Sequence, residues 1–341
     1  MKHTLKNPNF MLLMATQTVE QIGDSLTLMS LIAWVMSMPG GTTTANMTIL
    51  LFWIGLPIIL IGPFSGVFID RFSRKALLLS ATFVKGSFIF LIFLYIKEPG
   101  LVPLLYFFVF MKSFATQFFI PAKSSFVPDI VKDRESLMEA NSISTTAMVI
   151  TQITTYAAAG LLIAEFGPQK ILLASFLLYP LAMAMIAMIR AKEEHKAKSR
   201  IESFGHIAED LVSGFKFMFG AEKIMFITRR VFFMMIAIMV FYIALTGGGL
   251  ERMLLSAGHG IKPIGALGLM QAALGLGLVA GVLMIGRVSR AISDEKLIRA
   301  IFPVFGSLII ALYFVNNYFF LLAIALAGGM GGMMVLSIAE T

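Results

Sequence analysis

Two carboxylates interrupt an apolar run near the start of the chain: Glu20 and Asp24 in MLLMATQTVEQIGDSLTLMSLIAWVM. Spaced i, i+4, they project from one face of a helix, with Gln17 one turn earlier. Two acids that close in an apolar setting cannot easily both ionise, so they are expected to titrate as a pair. Such a pair can take up a proton in one state and release it in another, or hold a cation in the proton's place. Two further apolar runs each contain one lysine, Lys85 and Lys112. Lys112 is expected to stabilise the doubly ionised form of the acids and so compete with the shared proton. Other chemistries find no residues. The chain has no cysteine and four scattered histidines, which leaves no thiol nucleophile and no metal pattern. No His/Asp constellation suited to an enzyme is evident, no G-K-[ST] follows any glycine-rich stretch, and no cofactor is expected.

The elements that carry these residues are set by composition. Hydrophobic residues make up 58% of the chain and charged residues 13%, against roughly half and a quarter in soluble domains. The apolar residues fall in blocks of about twenty, the length that crosses a ~30 Å hydrocarbon core. The pattern predicts an all-α integral membrane protein with ten spans at 10–36, 46–69, 76–96, 101–120, 137–164, 169–189, 231–249, 263–286, 297–314 and 317–336. The first is too long for a signal-peptide core and reads as an uncleaved span. Glu20, Asp24, Lys85 and Lys112 then lie near mid-span. A charge there costs about 2.5–3.5 kcal/mol on insertion scales. Two acids and two bases sum to zero, which points to mutual neutralisation. Lys85 is read as a member of a static ion network that can snorkel along its own stem, outside the proton site. The alternative to a titrating acid pair is that Lys85 and Lys112 hold both acids ionised throughout.

Charge also sets orientation. With the N-terminus in the cytoplasm, the inner segments hold 21 of the 27 bases, including Lys123 and the nine between 190 and 230; the outer loops hold Lys97, Lys170, Arg252 and Lys262. This asymmetry is the positive-inside pattern of a plasma-membrane protein. It accounts for the net charge of +8 without nucleic acid, and makes anionic lipid headgroups the natural partner.

The chain also repeats itself. IDRFSRK begins at Ile69 and IGRVSRA at Ile285, each between two spans, an offset of 216 residues (285 minus 69). That offset predicts two homologous bundles, 1–190 and 223–341, joined by a cytoplasmic linker at 191–222. Within the linker, Ile201, Phe204, Ile207, Leu211, Phe215 and Met218 recur at helical spacing among polar residues, the pattern of an amphipathic helix on a membrane surface. Six spans precede the linker and four follow it, so the expectation is a chain cut short at its C-terminal end.

The loop after span 2 carries Gly66, Asp70, Arg71, Arg74 and Lys75, the pattern G-x-x-x-D-R-x-x-R-K. A short inner loop needs bases; Asp70 has no such excuse, because acids contribute little to orientation. With two bundles and a charged central segment, this loop resembles that of the major facilitator superfamily. FFIPAKSSFVPDIVKDRESLMEANSI and NPNFMLLMATQTVEQIGDSLTL resemble its macrolide-efflux and enterobactin-exporter-like branch. The usual second loop glycine is Ser73, and TTYAAAGLL stands where the family's antiporters carry a Gly-Pro element. The resemblance implies a fold that opens alternately to each side, with spans 1 and 4 lining the cavity and span 3 at the periphery. It implies a gating contact for Asp70 against the end of a span in the other bundle.

The expected function is secondary active, proton-coupled efflux of a small amphipathic compound such as a drug, macrolide or siderophore-like molecule, by a monomer. The candidate proton and substrate residues are Glu20, Asp24, Gln17 and Lys112; Gly66, Asp70, Arg71, Arg74 and Lys75 form the gating loop. The alternatives are an uptake permease, a non-transporting remnant and, less well supported, a membrane-embedded enzyme. Asp70→Asn is expected to slow transport in vesicles more than Lys75→Gln; equal and small effects would reduce the loop to a topology signal.

Overall fold

The computed structural model describes residues 6–38, 43–69, 72–191, 239–245 and 263–339 except 292–293 and 316, together with positions 233, 236 and 237. Nine long helices are described: α1 (Pro8–Met36), α2 (Thr43–Ile69), α3 (Arg74–Tyr95), α4 (Val102–Ile130), α5 (Arg134–Phe166), α6 (Pro168–Met188), α7 (Pro263–Ala291), α8 (Asp294–Phe314) and α9 (Tyr318–Ala339). There is no strand among the described residues. The expected span at 231–249 and the linker at 191–222 lie largely outside them. Stretches in six helices, α2 to α7, are long and apolar enough to cross a membrane. In α1 the polar residues Gln17, Glu20, Gln21 and Asp24 lower the hydropathy, and α8 and α9 have shorter apolar stretches.

Two expected boundaries move. Span 4 was expected to end at 120, yet α4 continues through Pro121 and Pro128 to Ile130. A membrane helix tolerates proline where its neighbours hold it, and here Phe119, Ala122, Phe126 and Val127 are buried in one core with Phe10, Leu13 and Leu78. The repeat at Ile285–Ala291, expected as a loop, is the last part of helix α7.

The chain divides into two compact units. The first comprises residues 1–37, 49–155 and 165–202; the second comprises 38–48, 156–164 and 203–341. In the first, α1 runs along α6, and α3 packs between α4 and α6. One end of this bundle is cross-tied by polar groups. The Asn7 side chain caps α1 by accepting from the Asn9 and Phe10 amides and donates to Ile130 O at 3.0 Å, at the end of α4. Arg74 pairs with Asp129 of α4 at 2.5 Å. Lys75 donates to Ala187 O and Ile189 O, both at 2.8 Å, covering carbonyls left open where α6 ends. These loop bases therefore have structural partners in addition to any topological role. In the second unit, α7 and α9 cross where Gly277 faces the Leu326 backbone and Gly329 faces that of Leu274. The Tyr318 hydroxyl donates to Ala266 O at 3.0 Å. Segment 156–164 of α5 joins this unit: a Cβ on Gly160 would lie 2.7 Å from Ile264 O.

The closest helix contact near the buried charges is made by glycine. The ring of Tyr179 on α6 fills a slot between Gly23 of α1 and Gly86 of α3, where a Cβ would come 3.1 Å from Tyr179 Cε2 and 2.9 Å from Tyr179 Cβ respectively. Gly86→Ala is expected to cost about 1–3 kcal/mol of stability through overpacking, seen as earlier thermal unfolding in detergent. Gly100→Ala, which meets open space, should leave unfolding unchanged.

Candidate functional site

The first unit gathers ionisable residues from three helices at mid-depth. Glu20 and Asp24 come from α1, Lys85 from α3 and Lys112 from α4. Lys85 Nζ bridges the two acids: it binds Glu20 Oε2 and lies 2.9 Å from Asp24 Oδ2. Asp24 Oδ1 lies 2.6 Å from Lys112 Nζ and accepts from the Tyr179 hydroxyl at 2.9 Å. Thr82, one turn before Lys85 on α3, donates to Glu20 Oε1. Lys85 Nζ also sits 4.7 Å from the Phe119 ring centroid and 5.5 Å from that of Tyr179, so aromatic faces complete its surroundings.

The cluster is graded in exposure. The Lys85 side chain is 0% exposed and that of Glu20 is 2%; Asp24 is 21% and Lys112 14% exposed. Glu20–Lys85 is thus sealed, whereas Asp24–Lys112 can be reached. The charges sum to zero. In this arrangement an ammonium lies between the acids where the sequence suggests a proton shared by the carboxylates.

The reading of Lys85 as a snorkelling side chain is overturned. Lys85 lies eleven residues from the start of α3, about 16 Å along the axis, which is beyond the reach of a lysine stem. Its helix face, shared with Thr82 and Gly86, turns toward α1 and α6. Lys123, counted as an inner-loop base, is also corrected: it is part of α4 and only 9% exposed. Its ammonium donates to Gln17 Oε1 at 2.5 Å and Ser144 Oγ at 3.0 Å. Gln17 is therefore apart from the acid cluster; its amide nitrogen donates to Ser144 O at 2.8 Å on α5.

Of the expected site residues, Glu20, Asp24 and Lys112 come together and Gln17 joins Lys123. Gly66 lies in α2; Asp70 and Arg71 are outside the described residues; Arg74 and Lys75 tie helix ends as described above. Sequence reasoning missed Thr82, Tyr179, Lys123 and Ser144, and it counted Lys85 among the neutralising bases without placing it between the two acids. Two signals pointed to them. Two acids inside the membrane ask for two bases. Lys123 also follows Lys112 by eleven residues, three helical turns, and so shares its face. No group of His, Cys, Asp or Glu able to hold a metal occurs among the described residues.

The comparisons with known proteins agree on a class. Residues 3–341 match a family profile described as transmembrane secretion effector. An uncharacterized MFS-type transporter, YkuC, of Bacillus subtilis (strain 168) is 22% identical over 334 residues, covering 95% of this chain and 75% of its own length. Macrolide efflux protein A of Streptococcus pyogenes is 26% identical over 184 residues, 53% of this chain and 44% of that protein, so this match spans less than half of it. Among solved structures, the POT family transporter PepTSo superposes with a TM-score of 0.69 at 13% identity, covering 98% of this chain and 82% of that one. The nucleoside transporter NupG gives 0.62 at 13% identity over 97% and 88%. At these identities the structures report the fold.

Lys85→Ala is expected to destabilise the protein by about 3–5 kcal/mol, because it leaves Glu20 buried without a cation. Adding Glu20→Gln should restore part of that loss. A double-mutant cycle by thermal unfolding measures the coupling, and additive effects would show that the bridge contributes nothing.

Proposed function

The chain belongs to the transmembrane secretion effector family of major facilitator transporters, and on that premise we propose that it exports a small amphipathic compound across the plasma membrane in exchange for protons. It is a multi-pass membrane transporter and not an enzyme. In this reading, bundles 1–190 and 223–341 are pseudo-repeats joined by a cytoplasmic linker at 191–222, and the N-terminus is cytoplasmic. The concentration of bases in the inner segments supports that orientation. The loop from Gly66 to Lys75 contributes to gating, with Asp70 the residue that orientation does not explain.

The observation that carries the coupling proposal is the graded charge cluster. Glu20 is sealed against Lys85, and together they hold α1 to α3. Asp24 is held by Lys112 and Lys85 and is partly exposed. A proton arriving at Asp24 removes its charge, weakens its hold on Lys112 and releases that one tie between α1 and α4. Loss of the proton restores the pair. The coupling acid is therefore Asp24, and Glu20 is its fixed neighbour. α1 meets α4 chiefly through long side chains and not through close backbone packing, so breaking the pair can change the separation of the two helices without dismantling a packed seam. The presence of a macrolide efflux protein among the relatives supports the export direction.

Asp24→Asn is expected to lower pH-gradient-driven transport in inverted vesicles at least tenfold with the protein still folded. Glu20→Gln should act mainly through stability. Wild-type coupling in the double variant would make the acid pair purely structural.

A further inference from the structure

The α1/α4 face carries two polar rungs that differ in charge. Rising residues of α1 meet falling residues of α4, as Asn7 with Ile130, Gln17 with Lys123 and Asp24 with Lys112 show, so the helices are antiparallel. Gln17 and Asp24 are seven residues apart and share a face, as do Lys112 and Lys123. At the first rung, Asp24 and Lys112 neutralise one another. At the second, the position facing the lysine holds an amide.

Lys123 is thus a buried cation with neutral partners. Its ammonium meets the oxygens of Gln17 and Ser144, and no described carboxylate pairs with it. Glu139, five residues before Ser144 on α5, has interactions of its own, and the hydrogen bonds of the Lys123 ammonium go to Gln17 and Ser144. Gln17, Ser144 and Lys123 are 4%, 6% and 9% exposed. A buried charge is ordinarily paired with an opposite one. Since Glu20, Asp24, Lys85 and Lys112 sum to zero, the face as a whole carries one uncompensated positive charge.

We propose that Lys123, Gln17 and Ser144 form an anion-recognition site, and that the transported compound carries a carboxylate or a comparable acidic group. The proposal rests on the α1/α4 face being the substrate-facing surface and narrows the class of compound that it accepts. Both carboxylates of the face are already matched by lysines, so a cationic compound finds no free charge there and would be repelled by Lys123. An anion finds two donors at one place, the Lys123 ammonium on α4 and the Ser144 hydroxyl on α5, with Gln17 of α1 as the neutral group that covers them in the closed state. In the structure the Ser144 hydroxyl donates to Gln17 Oε1 at 2.6 Å, so the triad is satisfied internally and closed. When α1 parts from α4, the Gln17 oxygen is withdrawn and the hydroxyl is free to turn toward an incoming anion. Charge-assisted hydrogen bonds from the ammonium then replace weaker ones to neutral oxygens.

Equilibrium binding to purified protein tests this without a gradient, so it stands apart from proton coupling. Carboxyfluorescein and rhodamine 6G share a xanthene scaffold and differ in charge. Fluorescence polarisation should show saturable binding of carboxyfluorescein in preference to rhodamine 6G. Lys123→Gln should weaken it at least tenfold, and Lys123→Arg should largely retain it. Gln17→Glu supplies the missing acid: it should raise thermal stability while abolishing carboxyfluorescein binding, a combination that a purely bracing role for Lys123 does not produce. Preference for rhodamine 6G, no carboxyfluorescein binding, or binding unchanged in Lys123→Gln and Gln17→Glu overturns the proposal.

Discussion

A carboxylate inside a hydrocarbon layer must find a proton or a cation, and Glu20 finds Lys85. The organisation of the first bundle follows from that requirement. Lys85 can reach Glu20 because α3 lies close to α6 and its lysine-bearing face turns inward. α3 lies that close because Gly86 has no side chain to hold it off Tyr179. Tyr179 in turn delivers its hydroxyl to Asp24. One slot between two glycines thus sets both the helix spacing and the hydrogen bond that completes the second acid's environment. The outer faces of the same helices, with Phe83, Leu177 and Leu181 exposed, carry the apolar surface that a membrane-spanning bundle requires.

The same principle operates at the bundle's end, with backbone carbonyls in place of carboxylates. The ends of α4 and α6 leave acceptors open, and Asn7 and Lys75 cover them from other helices. Residues that look like a short basic loop therefore also brace the scaffold. The rigid end and the sealed Glu20–Lys85 pair together leave Asp24, Lys112 and the second rung as the adjustable part of the α1/α4 face. A transporter needs such a division. If every charge were locked the bundle could not change state, and if none were locked it would not assemble.

The fold is shared with transporters at 13% identity, whereas the chemistry depends on a few side chains at named positions. A helical bundle tolerates wide substitution as long as its faces stay apolar and its close contacts stay small. Charge pairing tolerates very little, since each unpaired ion costs on the order of kilocalories. What distinguishes this chain is therefore its polar residues at mid-depth, and a fold-level likeness says little about what it carries.

The type and order of the described helices were legible in the sequence because hydropathy reports on the hydrocarbon thickness. The acids were legible too: Glu20 and Asp24 lie on one helix face, and local spacing alone decides that. Lys112 could be paired with them by charge count. The partners of Gln17, the inward turn of Lys85, the role of Tyr179 and the inclusion of Lys123 in α4 were decided only by tertiary structure. Each depends on how separate helices rotate and cross, and rotation is set by glycine contacts and packing that leave no periodic trace in the chain. The span expected at 101–120 likewise stops short: α4 continues through Pro121 and Pro128 to Ile130, and so includes Lys123. A sequence determines which groups must be neutralised; the packing of helices decides which neighbour does it.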